Sequence, residues 1–178
     1  MTKFICVSGK AQNGKDTTSA IINQKLTELG YKTIIVHYAD LVKYICKTFF
    51  NWDGNKDEKG RTLLQYVGTD VVRKSKPDYW VDFIIDMVDF FHENWDYVIV
   101  SDTRFPNEIQ KIKDHGYQVI HIKVVRPNFE SPLTEEQQKH LSEIALDNIQ
   151  PDLTLYNSTL DELNTEVTNF CKNIKEFF

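Results

Sequence analysis

A glycine-bounded loop close to the N-terminus constrains this chain more than any other feature. Residues Gly9 to Thr17 read GKAQNGKDT, so a lysine directly follows the second of two glycines. The loop comes after the apolar run Lys3 to Ser8. It precedes Thr17 to Leu29, where Ala20, Ile21, Ile22, Leu26 and Leu29 recur at helical spacing before Gly30. Strand, glycine loop and helix in this order, with this spacing, form the P-loop arrangement.

Such a loop suits phosphate. Its backbone N–H groups surround a β-phosphate, the helix start adds positive potential, and Lys15 places a cation between the β- and γ-phosphates. The expected nucleotide contacts are Gly9, Asn13, Gly14, Lys15, Asp16 and Thr17. A glycine turn that merely happens to hold a lysine is the plain alternative, and the strand and helix on either side weigh against it. Asp16 occupies the position where a P-loop usually has the Ser or Thr that ligates Mg²⁺. It either holds the metal through water or simply suits the positive end of the helix. Thr17 either bonds a donor phosphate or caps the helix.

The rest of the chain alternates strands with helices. Strands are expected at Thr33 to His37, Tyr97 to Ser101, Tyr117 to Val125 and Leu153 to Tyr156. Helices are expected at Leu41 to Phe50, Tyr79 to Phe91, Asn107 to His115 and Leu160 to Phe177, with short helical pieces Leu63 to Val67 and Val71 to Lys74 split by Gly68. Asn51 to Gly60 is polar and reads as an exposed connector. Alternation of this kind implies right-handed crossovers, hence an α/β fold with a five-stranded parallel sheet, helices on both faces and a small lid.

At 178 residues the chain fits a single domain spanning 1–178. Its formal charge of −5 disfavours long nucleic acid and anionic membranes as partners. The apolar runs are strand-sized, so no membrane span or secretory leader is expected and the cytosol is the expected location. Cys6, Cys46 and Cys171 sit among apolar neighbours and read as reduced core thiols.

Two further features carry chemistry. Asp102 ends an apolar strand, where an acidic residue reaches the Mg²⁺ shell or the phosphate site, with an ordinary turn aspartate as the alternative. The four arginines, Arg61, Arg73, Arg104 and Arg126, all fall in or beside loops and helix ends, which suits bidentate phosphate clamping.

The chain also resembles the phage-type deoxynucleoside monophosphate kinases. The resemblance rests on GKAQNGKDT, LLQYVGTDVVR from Leu63 to Arg73, YWV from Tyr79, SDTRFPNE from Ser101 to Glu108, VVRP from Val124, HLSE from His140 to Glu143, and LYNSTLDEL from Leu155. It implies a P-loop NTPase fold that binds ATP and Mg²⁺, with Asp16 and Asp102 at the metal. Lys15, Arg73, Asp102, Arg104 and Arg126 would be catalytic, and Asn157 would border the adenine. An acceptor region at about 40–80 would bind a (deoxy)nucleoside monophosphate through Asp40, Lys43, Gln65, Asp70, Arg73 and Trp80, with Glu108 joining from beyond it. A lid would cover about 126–146, and the chain could form a homodimer. Trp80 reads equally well as core. HLSE has no mechanism derivable from sequence, and the Leu41 to Thr62 stretch is shorter than in family members.

Two rivals remain. A P-loop kinase with a hydroxyl acceptor, such as dephospho-coenzyme A kinase, would need a base, and Asp40 is its candidate. Asp40 also stands where it would cap a helix starting at Leu41. A nucleotide-binding switch would need a guanine-reading motif, but NKDE at Asn55 to Glu58 is one residue short and follows no strand.

Overall fold

The computed structural model describes residues 2–178. Five strands form one parallel sheet: β1 (Lys3–Ser8), β2 (Thr33–Val36), β3 (Tyr97–Val100), β4 (Gln118–Val125) and β5 (Leu153–Tyr156), in the spatial order β2-β3-β1-β4-β5. Strand β1 is central, pairing Ile5 with Ile99 on one side and with Ile120 on the other. The chain order reverses on the two sides of β1, and the loop after β1 opens at that switch point, where parallel sheets bind ligands.

Strand alternation builds two cores. Phe4 and Cys6 face one side of β1, joined by Val98 and Val100, while Ile5 and Val7 face the other with Ile99 and Ile122. The second face is covered by α1 (Lys15–Glu28) and α8 (Leu160–Lys172), which bury Ile22, Leu26, Leu163 and Val167 completely. Each such side chain contributes about 1.5–3 kcal/mol on leaving water. The first face is covered by α2 (Tyr38–Phe50), α4 (Tyr79–Phe90) and α5 (Pro106–Asp114). The three cysteines are unpaired and buried. Among the described residues no helix is long and apolar enough to cross a membrane.

Several elements depart from the sequence reading. Helix α2 begins at Tyr38, three residues before the expected Leu41, so Asp40 lies in its first turn and is not its cap. The cap comes instead from Asp102, whose two oxygens accept the N–H groups of Tyr38 and Ala39 at 2.9 and 2.8 Å. The expected connector 51–60 ends early, because Asp57 caps α3 (Glu58–Gln65) by accepting the Gly60 N–H at 2.8 Å. Gly68 does not break the chain into two pieces. Tyr66–Arg73 continues α3 as a wide π-helical turn, with the Gly68 carbonyl accepting Trp80 Nε1 at 2.9 Å.

Two short helices not expected from sequence, α6 (Glu135–Lys139) and α7 (Leu141–Ile144), lie within the expected lid range. A Thr134 and Gln137 capping box starts α6. The last helix stops at Lys172, and a 3₁₀ turn at Ile174–Glu176 follows.

Candidate active site

The loop after β1 is bent by Gly14, whose φ of 98° is the left-handed region that a side chain adopts only at a cost. A Cβ on Gly14 would also stand 2.3 Å from Asn157 Nδ2, which donates to the Asn13 carbonyl at 3.0 Å. The turn after β5 is thereby locked against the loop. Lys15 Nζ folds over the loop to donate to the carbonyls of Gly9 and Lys10, both at 2.9 Å. Burial, with the nearby Arg104 charge adding to it, pushes the Lys15 ammonium down to about 7.

The loop opens onto a cleft of about 780 Å³. It gathers Gly14, Lys15, Asp16, Thr17 and Asn157 from the loop side with Lys43, Gln65, Arg73 and Trp80 from the α2–α4 side. Asp102, Arg104, Glu108 and Arg126 also line it. The volume falls in the range of small-molecule sites. Gly9 and Asn13 instead line a separate cavity of about 280 Å³ behind the loop, and Asp40 lines one of about 310 Å³ beside Tyr44 and Phe83. Asp70 lines neither the cleft nor those two cavities; its carboxylate lies 3.4 Å from His140 Nε2. Trp80 is 3% exposed and belongs to the core, so its contact with the cleft is one edge of a packed residue.

Two of the arginines, Arg73 and Arg104, are held by carboxylates. Arg73 pairs with Glu108 and lies flat on Phe105, its Cζ 3.8 Å from the ring centroid. Glu108 also accepts the N–H groups of Arg104 and Phe105 at 2.7 and 3.0 Å, so one carboxylate fixes both Arg73 and the start of α5. Complete burial raises the Glu108 carboxyl, while Arg73 and the two N–H groups favour its charged form. Arg104 Nη1 pairs with Glu143 Oε1 at 2.7 Å. Arg126 stacks on Phe129, with Cζ 4.3 Å from the ring centroid.

Asp16 sits at the rim with its side chain 80% exposed. Ser101 Oγ donates to its Oδ1 at 2.8 Å, and His37 Nε2 lies 3.6 Å from the same oxygen. The Asp16 carboxylate beside His37 raises it above its usual value, with Asp102 and Asp40 adding to the effect; Asp16 is lowered first by His37 and then, against burial, by Ser101. Oδ2 of Asp16 has no hydrogen-bond partner among the described residues, whereas both oxygens of Asp102 are taken by α2. Among the described residues no group of three or more His, Cys, Asp or Glu is arranged to hold a metal.

His37, Tyr38, Lys56 and Glu143 line the cleft without having been expected there. His37 follows β2 directly, and the carboxyl end of a parallel strand is the signal that would have found it. Glu143 lay in the HLSE segment, whose place against the loop depends on contacts more than 130 residues apart in sequence.

Residues 31–167 match the model of a family described as deoxynucleotide monophosphate kinase. The chain is 37% identical over 115 residues to the deoxynucleotide monophosphate kinase of Enterobacteria phage T4, covering 63% of this chain and 45% of that protein. It is 36% identical over 110 residues to that of Escherichia phage RB69, covering 60% and 42%. The chain thus spans less than half the length of the two phage relatives. Among solved structures it is similar to a sugar kinase from Janibacter sp. HTCC2649, with a TM-score of 0.54 at 13% identity over 99% of this chain and 96% of that one. At that identity the likeness shows the fold alone.

Proposed function

Because the chain belongs to the deoxynucleotide monophosphate kinase family, we propose that it moves the γ-phosphoryl group of ATP onto a (deoxy)nucleoside monophosphate. The observation that carries this reading is the convergence of Lys15, Arg73, Arg104 and Arg126 on one cleft that opens at the P-loop. Two anions must be brought together in line for this reaction, and cations gathered on a shared cleft offset their repulsion.

In this reading Lys15 and the loop amides hold the donor phosphates, and Arg73, kept rigid by Glu108 and Phe105, meets the acceptor phosphate. The region from about 40 to 80 forms the acceptor wall, and about 126–146 is a lid that keeps water from the phosphoryl group. A Mg²⁺ ion carried in with the nucleotide would supply positive charge against the negative charge of the phosphates. Oδ2 of Asp16, at the exposed rim, fits one carboxylate contact of such an ion. A reducing compartment such as the cytosol suits three unpaired thiols.

A phosphomonoester with a second pKa of about 6 is already mostly a dianion at neutral pH, so the acceptor needs no general base. The placement of Asp40 agrees with this. It lies outside the cleft lining and pairs with Lys43 at 2.7 Å.

The test is ADP formation from ATP with a panel of nucleoside monophosphates, with dephospho-coenzyme A as the hydroxyl acceptor. Fast ADP release is expected only when a monophosphate is added. Turnover with the hydroxyl acceptor alone, or none with any nucleotide, would overturn the reading.

A further inference from the structure

The HLSE segment supplies a carboxylate at a place where carboxylates are unexpected. Glu143, with its side chain 7% exposed, puts Oε2 on the Ala11 N–H at 3.2 Å, inside a loop built to bind anions. Its Oε1 takes Arg104 Nη1 at 2.7 Å, and the Ser142 carbonyl takes the same nitrogen at 3.4 Å. The Glu143 carbonyl accepts Lys10 Nζ at 2.6 Å, and Asp147 pairs with that ammonium as well.

A bare carboxylate here would repel phosphate. This one is neutralised by Arg104, and among the described residues Nε and Nη2 of Arg104 donate to no partner, which leaves them available to a phosphate. A long arginine side chain that is only partly buried needs such a strut to keep one orientation. Lys15 feels both charges, the Arg104 guanidinium disfavouring its protonated form and the Glu143 carboxylate favouring it. The same segment is tied at its other end, where Gln137 Nε2 donates to the Glu58 carbonyl at 3.3 Å on α3.

We propose that Glu143 is a positioning residue for phosphoryl transfer: its carboxylate aims the Arg104 guanidinium at the transferring group and ties the 134–147 segment to the P-loop. The first half of this rests on the kinase reading above. The second half rests on the contacts alone.

A double-mutant cycle tests it. Glu143→Gln is nearly isosteric and removes only the charge. It is expected to lower kcat roughly tenfold while the KM values for ATP and acceptor stay within about threefold. In an Arg104→Ala background the same change is expected to cost less than about twofold, because the strut then has nothing to aim. Glu143→Asp, which shortens the reach, should not restore kcat. Losses that multiply across the two sites would overturn the proposal, as would an unchanged kcat. Tighter ATP binding by calorimetry with undiminished kcat would instead make Glu143 an anion stand-in and also overturn it. If the parent forms no acceptor-dependent ADP, the kinase reading falls together with the aiming role. The tie to the loop is then judged by limited proteolysis, where Glu143→Gln must speed cleavage within 126–147 and an unchanged rate would overturn it.

Discussion

The Arg73 guanidinium and the Glu108 carboxylate form an ion pair buried on both sides, with side chains only 10% and 2% exposed. Asn107 and the Pro77 carbonyl each take Arg73 Nη1 at 3.0 Å, so the cation is fixed before any ligand arrives. Removing one partner of such a pair strands a charge away from water. Glu108→Ala is therefore expected to destabilise the fold by about 3–5 kcal/mol at neutral pH, read from urea unfolding. A loss below about 1 kcal/mol would show that Arg73 re-pairs without it.

With Lys15 on the donor phosphates, as proposed, nucleotide binding is expected to be a proton-linked event. Burial holds its ammonium down at about 7, and bound phosphates favour the charged form. At pH 8 the empty protein carries Lys15 mostly neutral, so binding ATP is expected to take up a proton, up to about one per nucleotide. As pH falls towards 6, Lys15 is already charged and the uptake fades. Calorimetry in two buffers of different ionisation enthalpy measures this. Lys15→Ala should abolish the uptake and lower turnover on the order of 10³-fold.

His37 links stability to pH in the opposite sense from a carboxylate. Its folded value is raised above 6.5, first by the neighbouring Asp16 carboxylate. The stabilisation it provides is fully present below the unfolded value and is lost as pH rises through the raised folded one. Thermal melts of the parent and His37→Gln in metal-free buffer should therefore differ more at pH 5.5 than at pH 8.5. A constant gap across that range would mean that His37 acts by packing alone.

Gly60 offers a test in which two effects oppose each other. It lies within α3, where alanine is favoured over glycine by about 1 kcal/mol. A Cβ there would stand 2.0 Å from the Asn55 carbonyl and 2.8 Å from Trp52 Nε1, and the backbone oxygen cannot swing aside. Overpacking of this kind costs about 1–3 kcal/mol, so Gly60→Ala should lower the melting temperature. A rise would show that the 52–57 loop moves freely.

What the sequence disclosed, and what it hid, divides along one physical line. The glycine loop, the strand alternation and the helix spacing are local patterns, and they foretold a parallel sheet with a phosphate loop at its centre. The start of α2 could not be read locally, because its cap is Asp102, 63 and 64 residues away. Glycine disfavours helix, which makes Gly68 read as a break, yet Trp80 reaches its carbonyl and the Val42 methyls lie 3.4 Å from where a Cβ would stand. Asp40 was one turn nearer the middle of its helix than its neighbours suggested. Glu143 and His37 are ordinary surface residues until the fold brings them to the cleft.

The three unpaired cysteines have a practical consequence. Cys6 lies in β1, Cys46 in α2 and Cys171 in α8, so each marks a different layer of the molecule. Burial pushes the Cys6 and Cys171 thiols up to about 12 and raises that of Cys46, which leaves almost no thiolate at neutral pH. An alkylating reagent can then reach each one only when its own layer opens. The unmodified chain thus carries three internal clocks for local unfolding, and the order in which they are labelled reports whether α2 loosens before the sheet that supports it.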